Sequence, residues 1–306
     1  MDRLELANGA SCSIAVEWGC NIVSWIVGGR ELVYCPPELP AQATKITGGG
    51  CPLLFPSVGR TWDRSVTPPV QGRYRIHGDD KSYFMPSHGI IYQSRFVKVD
   101  EELCGDRSSA LYRLEIPPEV TERNYPFDVS LTQRFTLTPN TIELETVIAN
   151  NGSDPAPAAF GHHPYFRVSN PAREGVEVRL PVTKELTLEP ELVLPDGGSR
   201  PADGVLKLQA GVYYDNVFAG VAGRRMTLSD SRAGHTIAVD YDDNFELLVV
   251  YAPDDSEFVC IEPWTRGLGA FEELRNAGWE SGELIPVLQP GETKTLKAAF
   301  SVEQLP

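Results

Sequence analysis

The chain has 306 residues, with 42% hydrophobic and 23% charged residues, 27 glycines, 25 prolines and a formal net charge of −15. Such an acidic balance, with scattered arginines and no basic patch, disfavours nucleic acid and anionic membranes as partners. The composition is that of a turn-rich globular protein long enough to bury a sizeable core, without signs of disorder.

The N-terminus, MDRLELANG, has early acids and no apolar h-region, and the run CSIAVEWGCNIVSWIVGG is broken by Glu17 and by glycines. It reads as two strands with a turn, not as a signal or membrane segment, and cytoplasmic is the default location. The cysteines Cys12, Cys20, Cys35, Cys51, Cys104 and Cys260 form no CxxC pair and no short-spaced metal framework. Free buried thiols are therefore expected.

Period-2 alternation then recurs along the chain, and helical periodicity hardly occurs. RFVKVD and ALYRLEI precede the clearest hairpin, in which Val129, Leu131, Phe135 and Leu137 share one face. Thr138 to Thr141 make its turn, and Ile142, Leu144 and Ile148 share a face on the return, with Gln133 and Thr146 interrupting the two faces. EVRLPV, KELTLEP, NVFAGV, RMTLSD, HTIAVDY, FELLVVYA, FVCIEPW and TLKAAFSV follow as further strands, and AFEELRNAG as a short helix. NNGSDPAPA, residues 150–158, is too short for a domain linker. The expectation is one all-β domain over residues 1–306, a large antiparallel β-sandwich with few short helices.

Five segments can carry chemistry. GGGCPLLFPSVGR, residues 48–60, is a stiff Gly/Pro loop without the lysine and hydroxyl of a phosphate cradle, and it ends on the cation Arg60. In MPSHGI, Gly89 lets the backbone turn and aim His88. In AAFGHHP, alternation puts His163 with Gly161 and Ala159, where there is room, and His162 with Phe160 on the other face. Pro164 makes this a strand end or edge. Because the two histidines diverge and no HxH or HxxxH spacing exists, a metal site is disfavoured. In YYDNVF, Asp215 sits among aromatics. In EFVCIEPW, Glu262 shares a face with Phe258 and Cys260, a setting that raises a carboxylate pKa as a general base requires. Alternation alone leaves open whether Glu262 is that base or a strand-end glutamate paired with a surface arginine.

Taken in this order, these segments, together with PGET at residues 290–293 before the last strand, resemble the aldose 1-epimerase (mutarotase) family. The resemblance spans residue 48 to the C-terminus and rests most on HPYF and the EPW strand. It implies the galactose mutarotase-like β-sandwich and interconversion of the α and β anomers of an aldose without metal or cofactor. It also implies that His163 is the general acid, that Glu262 is the general base, and that Arg60, His88 and Asp215 hold the sugar. A charged His163, with its pKa raised by Asp215 or Glu262, follows from that role. The sequence departs from many relatives in HGIIYQSRF, where Arg95 is a candidate to supply a missing contact, and in EPWTRGLGAF, which lacks a proline-aspartate. Two other readings are weighed. A phosphorylated hexose would need further arginines near Arg60, with Arg64, Arg73, Arg75 and Arg95 available. A non-catalytic sugar binder would tolerate loss of His163 or Glu262. The expected partner is a small monosaccharide, and oligomeric state is left open.

Overall fold

Alternating sequence becomes alternating burial wherever a sheet has one wet face, and the strand Thr141–Asn150 follows that rule at every residue. The computed structural model describes residues 1–39 and 48–304. Its hairpin pairs Val129–Leu137 with Thr141–Asn150, and the turn closes on the Thr138 N–H donating to the Thr141 carbonyl at 2.8 Å. The two residues that interrupt the apolar faces sit opposite each other in register, Gln133 against Thr146. Both are buried, and the Thr146 hydroxyl donates to Gln133 Oε1 at 2.5 Å. Each polar group thus meets the need of the other inside the core.

All strand ladders among the described residues are antiparallel. One sheet has nine strands. Its order is Arg95–Cys104, Arg107–Glu115, Val129–Leu137, Thr141–Asn150, Thr293–Gln304, His235–Tyr241, Arg225–Asp230, Val176–Arg179 and Val205–Lys207. The C-terminal strand therefore lies in the middle of the sheet. A second sheet runs Pro195–Pro201, Lys184–Leu188, Tyr214–Ala219, Leu247–Ala252, Phe258–Trp264, Gly161–His162 and Leu53–Leu54, with Tyr165–Arg167 also paired to Phe258–Trp264. Phe300 of the first sheet meets Phe166 of the second at 5.5 Å and His162 at 6.0 Å between ring centroids, so the sheets pack face to face. Four N-terminal strands, from Asp2–Glu5 to Arg30–Glu31, form a smaller sheet. The antiparallel β-sandwich read from the sequence is the observed architecture.

Two elements differ from the sequence reading. AFEELR forms a 3₁₀-helix, Ala270–Arg275, preceded by left-handed Gly269 and followed by extended Asn276. The α-helix Pro118–Asn124 was not expected, and its opening Pro-Glu is a helix-start signal overlooked amid strand patterns. All six cysteines are free. Cys12, Cys20, Cys51 and Cys260 are buried as expected, whereas Cys104 is exposed and Cys35 half-buried. Among the described residues no helix is long and apolar enough to cross a membrane.

Candidate active site

The strand Phe258–Trp264 is central to the second sheet, so both its faces are covered. Val259 and Ile261 enter the core, while Phe258, Glu262 and Trp264 line a cavity of about 420 Å³. Glu262 is fully buried, and the Trp264 indole N–H donates to its Oε2 at 3.0 Å. Residues two apart on one strand face are neighbours, and here the second orients the first. The indole lies over Gly161, its cross-strand partner, where an added Cβ would come within 2.6 Å of the ring. The room expected beside His163 on the Gly161 face is therefore filled by Trp264.

The two histidines diverge. His162 packs among Phe160, Phe245 and Phe300, whereas His163 reaches the cavity. The His163 backbone is pinned by its N–H donating to the Pro52 carbonyl at 3.0 Å, and Tyr165 stacks on its ring at 4.7 Å, 4° from parallel. His163 Nδ1 lies 3.3 Å from Glu262 Oε1. The angles there do not make a hydrogen bond, and both atoms are buried without a hydrogen-bond partner among the described residues. The pair is in reach of a third group that would satisfy both.

Arg60, His88 and Asp215 line the same cavity, so the structure brings all five sequence-derived residues together. The Gly59 N–H donates to His88 Nδ1 at 3.2 Å, and the His88 N–H donates to the Gly59 carbonyl at 2.8 Å. This reciprocal tie fixes Arg60 beside His88 and leaves the His88 proton on Nε2. His88 itself adopts a left-handed φ of 64°, and so does Gly89 at 86°. A Cβ on Gly89 would lie 2.0 Å from the Phe55 carbonyl oxygen, so only glycine lets these two loops meet. Asp215 is the second residue of the strand Tyr214–Ala219 and accepts a long bond from the Tyr213 hydroxyl at 3.5 Å.

Burial governs the electrostatics. The Glu262 carboxyl is held well above its usual range by desolvation and by Asp215, against the opposing Trp264 hydrogen bond. His163 is held well below its ordinary value by desolvation and by His88. This reverses the expectation that a neighbouring carboxylate would keep His163 charged. Both members of the pair are out of water, and removing two charges from water costs more than one contact at 3.3 Å returns. The pair favours a neutral imidazole beside a protonated carboxyl. His88 is pushed down to about 4 by burial and then by Arg60. Burial raises Asp215, with Arg60 opposing.

The other arginines considered for an anionic substrate are elsewhere. Arg64 forks onto Glu272, with a bond of 2.7 Å, and also meets Glu189. Arg73 lies over Phe84, Arg75 faces Asp63 at 3.9 Å, and exposed Arg95 pairs with Glu17 at 3.5 Å. Arg60 is the one Lys or Arg among the described residues lining the cavity. Sequence reasoning missed Trp264, Tyr165 and Tyr251 as cavity residues. Trp264 and Tyr165 were within reach of the same alternation, being two positions beyond Glu262 and His163.

The sandwich of large antiparallel sheets, with a strand-built cavity that holds the buried His163 and Glu262, is the galactose mutarotase-like fold. The chain belongs to the aldose 1-epimerase family, whose model matches residues 2–301. Solved structures agree on the fold. A Slr1438 protein from Synechocystis sp. PCC 6803 superposes with a TM-score of 0.81 at 23% identity, covering 96% of this chain and 92% of that one. A galactose mutarotase-like protein from Clostridium acetobutylicum gives 0.80 at 18%, covering 98% and 94%. A galactose 1-epimerase from Lactobacillus acidophilus NCFM gives 0.74 at 15%, covering 99% and 94%. A search of curated proteins gives no significant match.

Proposed function

We propose that the protein interconverts the α and β anomers of a free aldose by acid–base ring opening and reclosure, without metal or cofactor. The observation that carries this reading is the buried pair His163 Nδ1 and Glu262 Oε1, 3.3 Å apart and unpartnered, at one wall of the cavity. The C1 hydroxyl and the ring oxygen of a pyranose are bonded to one carbon, so the groups that serve them must be neighbours. With the shared proton passed from Glu262 to His163, Glu262 takes the proton from the C1 hydroxyl, His163 gives one to the ring oxygen, and the C1–ring oxygen bond breaks to leave an aldehyde. Rotation about C1–C2 presents the other carbonyl face, and closure with roles reversed yields the other anomer. His88 donates through Nε2–H, Arg60 donates, and Asp215 accepts, a set suited to sugar hydroxyls. A single cavity-lining cation among the described residues favours a free sugar over a phosphorylated one.

The test is the optical rotation of freshly dissolved α-glucose and α-galactose with wild type, His163→Asn and Glu262→Gln. Each substitution is expected to lower the enzymatic rate about 10²–10⁴-fold, the usual contribution of one positioned proton-transfer group. A wild type that leaves the spontaneous rate unchanged over a panel of free and 6-phosphorylated hexoses overturns the reading in favour of a binding protein. His162→Ala as damaging as His163→Asn would also count against it.

A further inference from the structure

The thiol of Cys260 takes no part in the proposed reaction, yet it lies beside the two residues that do. Tyr165 is its cross-strand partner and Glu262 is two positions along the same strand face. One ligand-type atom each from His163, Cys260 and Glu262 all lie within 4.8 Å of one another, and all three residues are buried. We propose that His163, Cys260 and Glu262 form a binding site for one soft divalent cation of the zinc class, and that the bound ion blocks the catalytic pair.

The geometry fits the ion better than it fits a hydrogen bond. Zinc bonds to nitrogen and oxygen are about 2.0–2.1 Å long, so the N···O edge of a tetrahedral site is about 3.3–3.4 Å. His163 Nδ1 and Glu262 Oε1 are 3.3 Å apart and not hydrogen-bonded to each other. A sulfur ligand at about 2.3 Å requires edges of about 3.6 Å to its neighbours. Measured to the ligand atoms that lie within 4.8 Å of it, the thiol has to close at most about 1.2 Å, a side-chain adjustment. His163 and Glu262 line the cavity, so a water or a sugar hydroxyl there is the candidate for the fourth position.

Charge and orientation agree with this. The ion displaces the Cys260 thiol proton and the Glu262 carboxyl proton to solvent, and one thiolate plus one carboxylate cancel a divalent charge beside a neutral imidazole. A buried site of zero net charge avoids the desolvation penalty of an isolated ion. The Trp264 N–H holds Glu262 Oε2, which leaves Oε1 for the metal, the arrangement by which an outer partner orients a carboxylate ligand. Blocking follows because the ion takes the atoms that Glu262 and His163 use on the sugar. That consequence rests on the mutarotase reading, whereas the binding does not.

The test titrates metal-free protein with Co²⁺ and Zn²⁺ in a Cys104→Ser background, which removes the one exposed thiol. One Co²⁺ per chain is expected, with tetrahedral visible bands and a thiolate-to-cobalt charge-transfer band in the near ultraviolet. Adding Cys260→Ser should abolish the charge-transfer band, and either Cys260→Ser or Glu262→Gln should weaken Zn²⁺ binding about 100-fold or more, since even outer partners of a site are worth 10–100-fold. Circular dichroism identifies unfolded variants, for which Cys260→Ala is the replacement. A charge-transfer band that survives in folded Cys260→Ser, or Zn²⁺ affinity equal in both proteins, overturns the site. If binding behaves as expected and the wild type has no mutarotation to inhibit, the functional reading fails and the metal site stands. If mutarotation is present, micromolar Zn²⁺ should suppress it in wild type and leave the residual activity of Cys260→Ser unaffected. Equal inhibition of both overturns the blocking.

Discussion

Replacing Trp264 with Phe isolates the one side-chain hydrogen bond that Glu262 makes among the described residues. The benzyl ring keeps the packing over Gly161 and the edge contact with His88, whose ring centroid is 5.7 Å from that of Trp264. What is lost is the 3.0 Å bond from the indole N–H to Glu262 Oε2. A buried hydrogen bond to a charged group is worth about 1.5–3 kcal/mol. If that bond holds the carboxylate in its reactive orientation, the barrier rises by the same amount, about 10- to 150-fold in kcat/KM. The bond also favours the ionised carboxylate, so its loss pushes Glu262 still higher and moves the optimum to higher pH. Polarimetry across a pH series measures both effects. Leaving Oε2 unpaired should also lower unfolding stability by about 1–3 kcal/mol in urea. A Trp264→Phe protein within twofold of wild type, with an unchanged pH profile and unchanged stability, would refute the claim that the indole positions the Glu262 carboxyl.

Two further outcomes concern pH. Because burial raises Glu262 and lowers His163, the pair keeps one proton over a wide range, and the acid limb of kcat/KM should fall below about pH 6.5, the ordinary histidine value; an acid limb at or above that value would show that solvent, not burial, sets the pair. His162 is held down to about 3 by burial alone, so the unfolded chain takes up its proton first. The stability this contributes is complete above about pH 6.5 and is lost as pH falls toward 3, at about 1.4 kcal/mol per pH unit. Urea unfolding of wild type and His162→Phe should run parallel from pH 7.5 to about 6.5 and diverge toward that slope as pH falls to 5, and curves that stay parallel throughout would place His162 in contact with water.

The strands were legible because alternation is local: the burial of Thr141–Asn150 repeats its sequence pattern residue by residue. Facing was legible for the same reason, which is why His162 and His163 separate in the structure as they do on paper. Gln133 and Thr146 show the limit of that signal. Each looks like a flaw in its own strand, and only the register that sets them opposite each other turns two flaws into one buried hydrogen bond. Trp264 was legible and overlooked, two residues beyond Glu262 on the same face. The 3₁₀ character of Ala270–Arg275, set between left-handed Gly269 and extended Asn276, was not legible from its apolar spacing.

The charge state of the pair was the least legible feature, for a physical reason. In the sequence, a glutamate and a histidine that meet are read as an ion pair, which presumes that water is near enough to solvate both. Burial depends on everything else that closes over the two residues, here Tyr165 stacked on the imidazole and Trp264 bonded to the carboxylate. With water excluded, the proton moves to the carboxyl and both groups become neutral. In the proposed reaction that arrangement is the one reached when the ring opens: Glu262 has taken the C1 hydroxyl proton and His163 has given up its own. Closure to either anomer starts from it. A resting site that already favours this state lowers the energy of the open-chain complex relative to both cyclic ones, and the two anomers then share one stabilised midpoint.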